Sequence, residues 1–177
     1  MTGSTSILFV CLGNICRSPA AEAILKKKVG EQCPGLDCVI DSAGIGPWHV
    51  GELPDKRMRQ HGARRGYDIS SRARQVTAAD FDRFDYICAM DDNNVRSLLQ
   101  LARSADDCHK ILCAARFMTH HPRYDSIPDP YYGGDTDFEL ALDLIEDACD
   151  GMLCLLLRRG GKGAIGIGPY RSRPGSP

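Results

Sequence analysis

The pattern that most constrains this chain lies near its beginning. Four apolar residues, Ile7-Leu8-Phe9-Val10, run without a gap into Cys11-Leu12-Gly13-Asn14-Ile15-Cys16-Arg17-Ser18-Pro19 and then into Ala-Ala-Glu-Ala-Ile-Leu. A short apolar run with β-branched members reads as a buried strand, and a proline heading an alanine-rich stretch reads as a helix start. The segment between them joins a strand to a helix.

The same alternation recurs along the chain. Apolar runs at 38–40, 86–89 and 111–113 predict three further strands. Helical spacing predicts helices over about 18–29, over 55–61, and from Asp91 or Asp92 to Ala102, with Val95, Leu98, Leu99 and Ala102 on a core-facing stripe. A last helix is expected to start in a capping box made by Thr136 and Glu139 and to carry Phe138, Leu142, Ile145, Cys149, Met152 and Leu156 on one face. Strands alternating with helices predict an α/β fold: a single-domain, doubly wound, four-stranded parallel sheet flanked by helices, with the Cys11 loop after strand 1. Residues 1–158 are assigned to this domain. Residues 159–177, rich in Gly, Pro and Arg, are expected to be a disordered tail.

A loop at a helix N-terminus gathers backbone N–H donors at the positive end of the helix dipole, which suits an anion of phosphate size. Gly13 and Asn14 tolerate the positive φ that such a curl needs, and the Arg17 guanidinium offers two parallel donors to a tetrahedral oxyanion. The field that binds phosphate also stabilises a thiolate. Cys11 is therefore a nucleophile inside a phosphate cradle. An isolated Cys-x5-Arg match would read instead as a core cysteine and a solvated arginine; here Gly, Asn, Ser and Pro all stand where the loop geometry needs them.

Breaking a phosphate monoester through a phosphocysteine also requires a proton for the departing oxygen. Asp129, in Ile127-Pro128-Asp129-Pro130-Tyr131-Tyr132-Gly133-Gly134, is the candidate: the loop follows the fourth strand and leaves the sheet on the same edge as Cys11.

With a formal net charge of −1, the chain lacks the broad basic surface that nucleic acid or an anionic membrane demands. No apolar run is long enough for a signal peptide or membrane span, so a cytoplasmic location is expected. Nine cysteines are an odd number in a chain of this length, which argues against a disulfide framework; closely paired zinc ligands are not evident either.

Val-Cys-Leu-Gly-Asn-Ile-Cys-Arg-Ser-Pro together with Asp-Pro-Tyr-Tyr-Gly-Gly resembles the low-molecular-weight protein tyrosine phosphatases. Asp41-Ser42-Ala43-Gly44, Trp48-His49, Ser71-Arg72-Ala73-Arg74-Gln75 and Ala89-Met90-Asp91 extend the similarity from about residue 6 to 157. The resemblance implies Cys11 as nucleophile, and Leu12, Gly13, Asn14, Ile15, Cys16 and Arg17 as the phosphoryl-binding loop. It implies Ser18 as the hydroxyl that assists the thiolate, Asp129 as acid and then base, and Trp48, His49, Tyr131 and Tyr132 as substrate walls. Ser42, Ser71 and Asp91 are implied to support the loop from behind. Neither cofactor nor metal is implied, and the expected partners are phosphotyrosine proteins or small aryl phosphates; the residues do not encode the oligomeric state, for which a monomer is the default.

Ile15 stands where phosphoarginine-selective relatives carry threonine, which points to phosphotyrosine. Ser71 stands where many relatives carry a histidine that supports the loop asparagine, so weaker support for Asn14 is expected. The family also implies a reversible Cys11–Cys16 disulfide, against which stands the reading of Cys16 as a packed thiol, and phosphorylation at Tyr131 and Tyr132, which as wall residues need no such role. Two other functions fit the loop: an arsenate reductase of the same fold, which needs two further relay cysteines, and a catalytically silent phosphate-binding module. Arg64, Arg65, Arg72 and Arg74 either select acidic substrates or form a solvated face, and the solvated face is the default expectation.

Overall fold

The computed structural model describes residues 4–158; the tail predicted for 159–177 lies outside them. Its centre is strand β1 (Thr5–Cys11), flanked by β2 (Cys38–Gly44) on one side and by β3 (Tyr86–Ala89) and then β4 (Ile111–Cys113) on the other. All pairings are parallel, in the order β2-β1-β3-β4. Alternation along β1 fills two cores. Ile7 and Phe9 pack with α1 (Arg17–Gln32) and the long C-terminal helix, while Leu8 and Val10 face Phe81, Val95 and Leu98 on the opposite side. Every residue from Ile7 to Val10 is buried, as a strand covered on both faces requires.

Among the described residues four more helices, α2 (Lys56–Arg64), α3 (Asp80–Arg83), α4 (Asp92–Leu101) and α5 (Ala105–His109), precede a 3-10 turn (Ala114–Phe117) that leads towards α6 (Asp135–Arg158). The predicted strands are all present, although β2 runs four residues further than its apolar core. Ser42 and Ala43 pair with Phe9 and Val10, so tertiary pairing extends the strand through a polar stretch. The first helix starts at Arg17, earlier than expected, because Cys16 takes the N-cap position and Pro19 falls where a missing N–H costs nothing.

The capping box expected at Thr136 is not how α6 begins. The helix opens at Asp135, and it is the Asp137 carboxylate that reaches back to the Gly134 N–H at 2.8 Å. Glu139 turns instead to His61 and Arg65. Arg65 and Arg74 likewise leave the solvated face predicted for them. Arg65 bonds Glu139, Asp143 and Glu146 of α6, and Arg74 joins Asp41 to the buried Asp80.

After β1 the chain moves to β2 on one side and then to β3 on the other. The crevice at the carboxyl ends of β1 and β3 is thus the place where ligands bind in such sheets.

Candidate active site

The segment after Cys11 curls over that crevice. Asn14 has φ 58°, the one described non-glycine residue in the left-handed region, and its amide holds it there: Nδ2 donates to Ser18 Oγ (2.8 Å) and Ser42 Oγ (3.0 Å), and Oδ1 accepts from Arg74 N (3.0 Å). Backbone bonds fasten the outside of the curl, from Ile45 N to Cys11 O, Gly46 N to Leu12 O and Asp55 N to Ile15 O. Gly44 is needed beneath it, since a Cβ there would come within 2.9 Å of the Gly13 carbonyl carbon.

Inside the curl, Cys11 Sγ and Ser18 Oγ share a hydrogen bond of 3.0 Å. Arg17 is almost wholly buried at 2% exposure. Its Nη1 donates to Asp91 Oδ2 (2.6 Å) and to Ile127 O (2.8 Å), and Nη2 lies 3.5 Å from Asp129 Oδ2. Burial disfavours its charge, but Cys11, Asp91 and Asp129 outweigh burial and raise its pKa above the ordinary value. Among the described residues, Arg17 Nε has no hydrogen-bond partner. A buried cationic donor left open is a strong cost unless an anion meets it.

Ten of the sequence-predicted residues, Cys16 among them, line one cavity of about 390 Å³. Cys11 and Gly13 line its floor, Asp129 stands at its rim, and Leu12, Ile15, Trp48, His49, Tyr131 and Tyr132 form its walls. Trp48 and Tyr132 are exposed, with Tyr131 and Tyr132 in edge contact at 4.9 Å between centroids. His49 Nδ1 and Glu52 Oε2 share a hydrogen bond of 2.8 Å, and the ring packs against Gly13. Asp129 Oδ1 accepts from Tyr131 N at 3.2 Å.

Ser71 does not join this set. The donors and the acceptor of Asn14 are taken by Ser18, Ser42 and Arg74, whereas the Ser71 hydroxyl faces Glu22. Burial, then a hydrogen bond with Asp41, raises the Glu22 carboxyl. Cys16 is buried at the end of the loop, where it contributes to the cavity lining, and burial followed by the charge of Asp55 pushes its thiol up. Cys88, which a reductase would need as a relay, is fully buried in β3 with its thiol likewise raised by burial.

Sequence reasoning missed Asp55, Arg57 and the backbone of Arg74, all of which touch the loop or the Asp129 segment. Their partners lie far away in the chain, and no local spacing marks them.

A family model described as "Low molecular weight phosphotyrosine protein phosphatase" matches residues 6–161. A protein of that name from Sus scrofa is 40% identical over 153 residues, covering 84% of this chain and 93% of its own. A crystal structure of a protein tyrosine phosphatase from Entamoeba histolytica superposes with a TM-score of 0.83 at 42% identity, covering 88% of this chain and 98% of that one. A structure described as a Drosophila arginine phosphatase gives a TM-score of 0.77 at 36% identity, over 84% and 95% of the two chains.

Proposed function

The chain belongs to the low molecular weight phosphotyrosine protein phosphatases, and on that premise we propose that it hydrolyses protein phosphotyrosine and small aryl phosphates through a phosphocysteine intermediate. The carrying observation is that Cys11 and Asp129 line the same cavity, with Ser18 Oγ 3.0 Å from the thiol and the buried Arg17 guanidinium 3.5 Å from the Asp129 carboxylate.

In the first step the Cys11 thiolate attacks phosphorus, Arg17 and the loop N–H groups hold the equatorial oxygens, and Asp129 protonates the departing phenolate. In the second, water attacks the phosphocysteine, Asp129 takes its proton, and the Ser18 hydroxyl stabilises the returning thiolate. Leu12, Ile15, Trp48 and Tyr131 give the pocket apolar walls that suit an aryl ring, and Ile15 favours phosphotyrosine over phosphoarginine. None of the described helices is long and apolar enough to cross a membrane, and a cytoplasmic phosphoprotein substrate fits the reading.

The test is hydrolysis of p-nitrophenyl phosphate and phenyl phosphate without metal by wild type, Cys11→Ser and Asp129→Ala. Turnover by wild type, its abolition in the first variant and a leaving-group-dependent loss in the second support the reading. No turnover by reduced wild type overturns it.

A further inference from the structure

We propose that Arg57 is a positioning residue that ties the segment carrying Asp129 to the phosphate loop; this rests on Asp129 being the acid. Asp129 has few contacts of its own. One oxygen accepts from Tyr131 N at 3.2 Å, the other lies 3.5 Å from Arg17, and its side chain is 36% exposed. Its place is therefore set by the backbone on either side.

Upstream, the segment is fixed at Ile127, whose N–H donates to Met90 O (2.9 Å) and whose carbonyl accepts from Arg17. Pro128 and Pro130 remove two donors that could have anchored the backbone around Asp129. Downstream, Arg57 supplies the hold: Nη2 donates to Tyr131 O at 2.9 Å and Nη1 to Gly133 O at 3.4 Å. The guanidinium lies over the Phe138 ring, 4.6 Å from its centroid, and 5.7 Å from that of Tyr131.

The other edge of the same guanidinium is locked to Asp55, through Nε to Oδ1 (3.1 Å) and Nη2 to Oδ2 (2.9 Å). Asp55 caps α2 by accepting from Arg57 N, and its own N–H donates to Ile15 O in the phosphate loop at 2.8 Å. A continuous path thus runs from Ile15 through Asp55 and Arg57 to Tyr131 and Gly133. It sets the distance between the loop that holds the phosphoryl group and the carboxyl that must reach its leaving oxygen. A planar fork with five donors can serve both sides at once; an ammonium cannot reproduce that geometry.

The test uses the full chain and the variants Arg57→Met and Arg57→Lys. It measures kcat/KM for phenyl phosphate, whose leaving group needs the proton, and for p-nitrophenyl phosphate, whose leaving group is a far more acidic phenol. The inhibition constant of inorganic phosphate reads the loop itself. Misplacing the acid should cost Arg57→Met about tenfold on phenyl phosphate but under about threefold on p-nitrophenyl phosphate, with phosphate affinity held within about twofold. Arg57→Lys should show the same pattern with a smaller loss, and it carries the test if the methionine variant does not fold. Equal losses on both esters, or weakened phosphate binding, overturn the proposal, because a general structural role moves both substrates together. Wild type failing on both esters overturns the phosphatase reading itself.

Discussion

Arg17 and Asp91 meet at 2.6 Å through one carboxylate oxygen, Oδ2, while Asp91 Oδ1 accepts from Asn94 N at 2.8 Å and caps α4. A single carboxylate therefore fixes both the helix that follows β3 and the guanidinium of the phosphate loop. With Nη1 held by Asp91 and Ile127 O, the guanidinium is held in place, and among the described residues Nε has no hydrogen-bond partner.

The two tasks of Asp91 can be separated. Asparagine caps helices as well as aspartate does but brings no charge, so Asp91→Asn should keep the cap and loosen Arg17. Activity, as kcat/KM on an aryl phosphate, should fall about tenfold. Asp91→Ala should lose the cap as well, worth about 1 kcal/mol, or roughly 2–4 °C in Tm below the asparagine variant. Identical Tm and kcat/KM for the two variants would show that the oxygens do not act independently.

Ser71→His offers a second separation. Because Asn14 is satisfied by Ser18, Ser42 and Arg74, a histidine at 71 should leave turnover within about twofold. It would, however, stand beside Glu22 and its partner Asp41, with Lys26 and Arg74 on their other sides. An imidazole gaining carboxylate partners has a raised folded pKa, so its stabilisation is present below the unfolded value of about 6.5 and lost as pH rises through the folded value. Tm should rise by roughly 2–4 °C at pH 6 and lose that gain by pH 9. A large gain in turnover would mean that Asn14 lacks support after all.

The difference between what the residues announce and what they hide comes from sequence distance. Cys11, Asn14, Arg17 and Ser18 lie within one strand–loop–helix turn, so their chemistry is written locally, and β1 betrays itself by burial on both faces. Asp91 sits just past the end of β3, where functional side chains gather, and Asp129 announces itself by its proline-flanked loop, well beyond the end of β4. Arg57, by contrast, looks like a solvated residue on a polar helix, and only its pairing with carbonyls more than seventy residues away gives it a task. The start of α6 is a case of competition: Thr136 and Glu139 match a capping box, but Glu139 finds charged partners on α2 and the next residue, Arg65, and a nearer carboxylate caps the helix.

Gly151, in the middle of α6, tests packing against propensity. Alanine is favoured over glycine in a helix by about 1 kcal/mol. A Cβ at 151 would nonetheless overlap the Phe117 carbonyl oxygen of the 3-10 turn, which is backbone and cannot swing aside. Gly151→Ala should therefore destabilise the protein by roughly 1–3 kcal/mol in urea unfolding, and a stabilising result would show that the two elements separate freely.

Cys16 is a buried thiol whose ionisation is opposed by burial and by the charges of Asp55, Cys11 and Asp129. It is thus a poor target for peroxide but a ready partner for an oxidised Cys11 five residues away. After peroxide treatment, wild type should recover most activity with reductant and Cys16→Ser should recover several-fold less. Equal recovery would remove any protective role for the thiol.

Asp147 organises the segment that leads from β4 towards Asp129. Its buried carboxylate accepts from the N–H groups of Thr119 (3.0 Å), His120 (2.9 Å) and His121 (3.0 Å), and both histidine rings lie against it. Burial alone would raise its pKa, but the Thr119 backbone, the His121 and His120 rings and the His120 backbone outweigh burial and lower it to about 2. A carboxylate whose folded pKa is depressed adds stability that is complete above its unfolded value near 3.8 and is lost as pH falls towards the folded one. The shift corresponds to about 2 kcal/mol. Asp147→Asn should therefore unfold at lower urea than wild type by about that amount at pH 7. The gap should hold at pH 5, narrow by pH 3, and approach zero near pH 2, because the protonated acid and the amide are then equally poor acceptors for three backbone donors. A gap that stays constant from pH 7 to pH 3 would show that the cost lies in shape and not in charge.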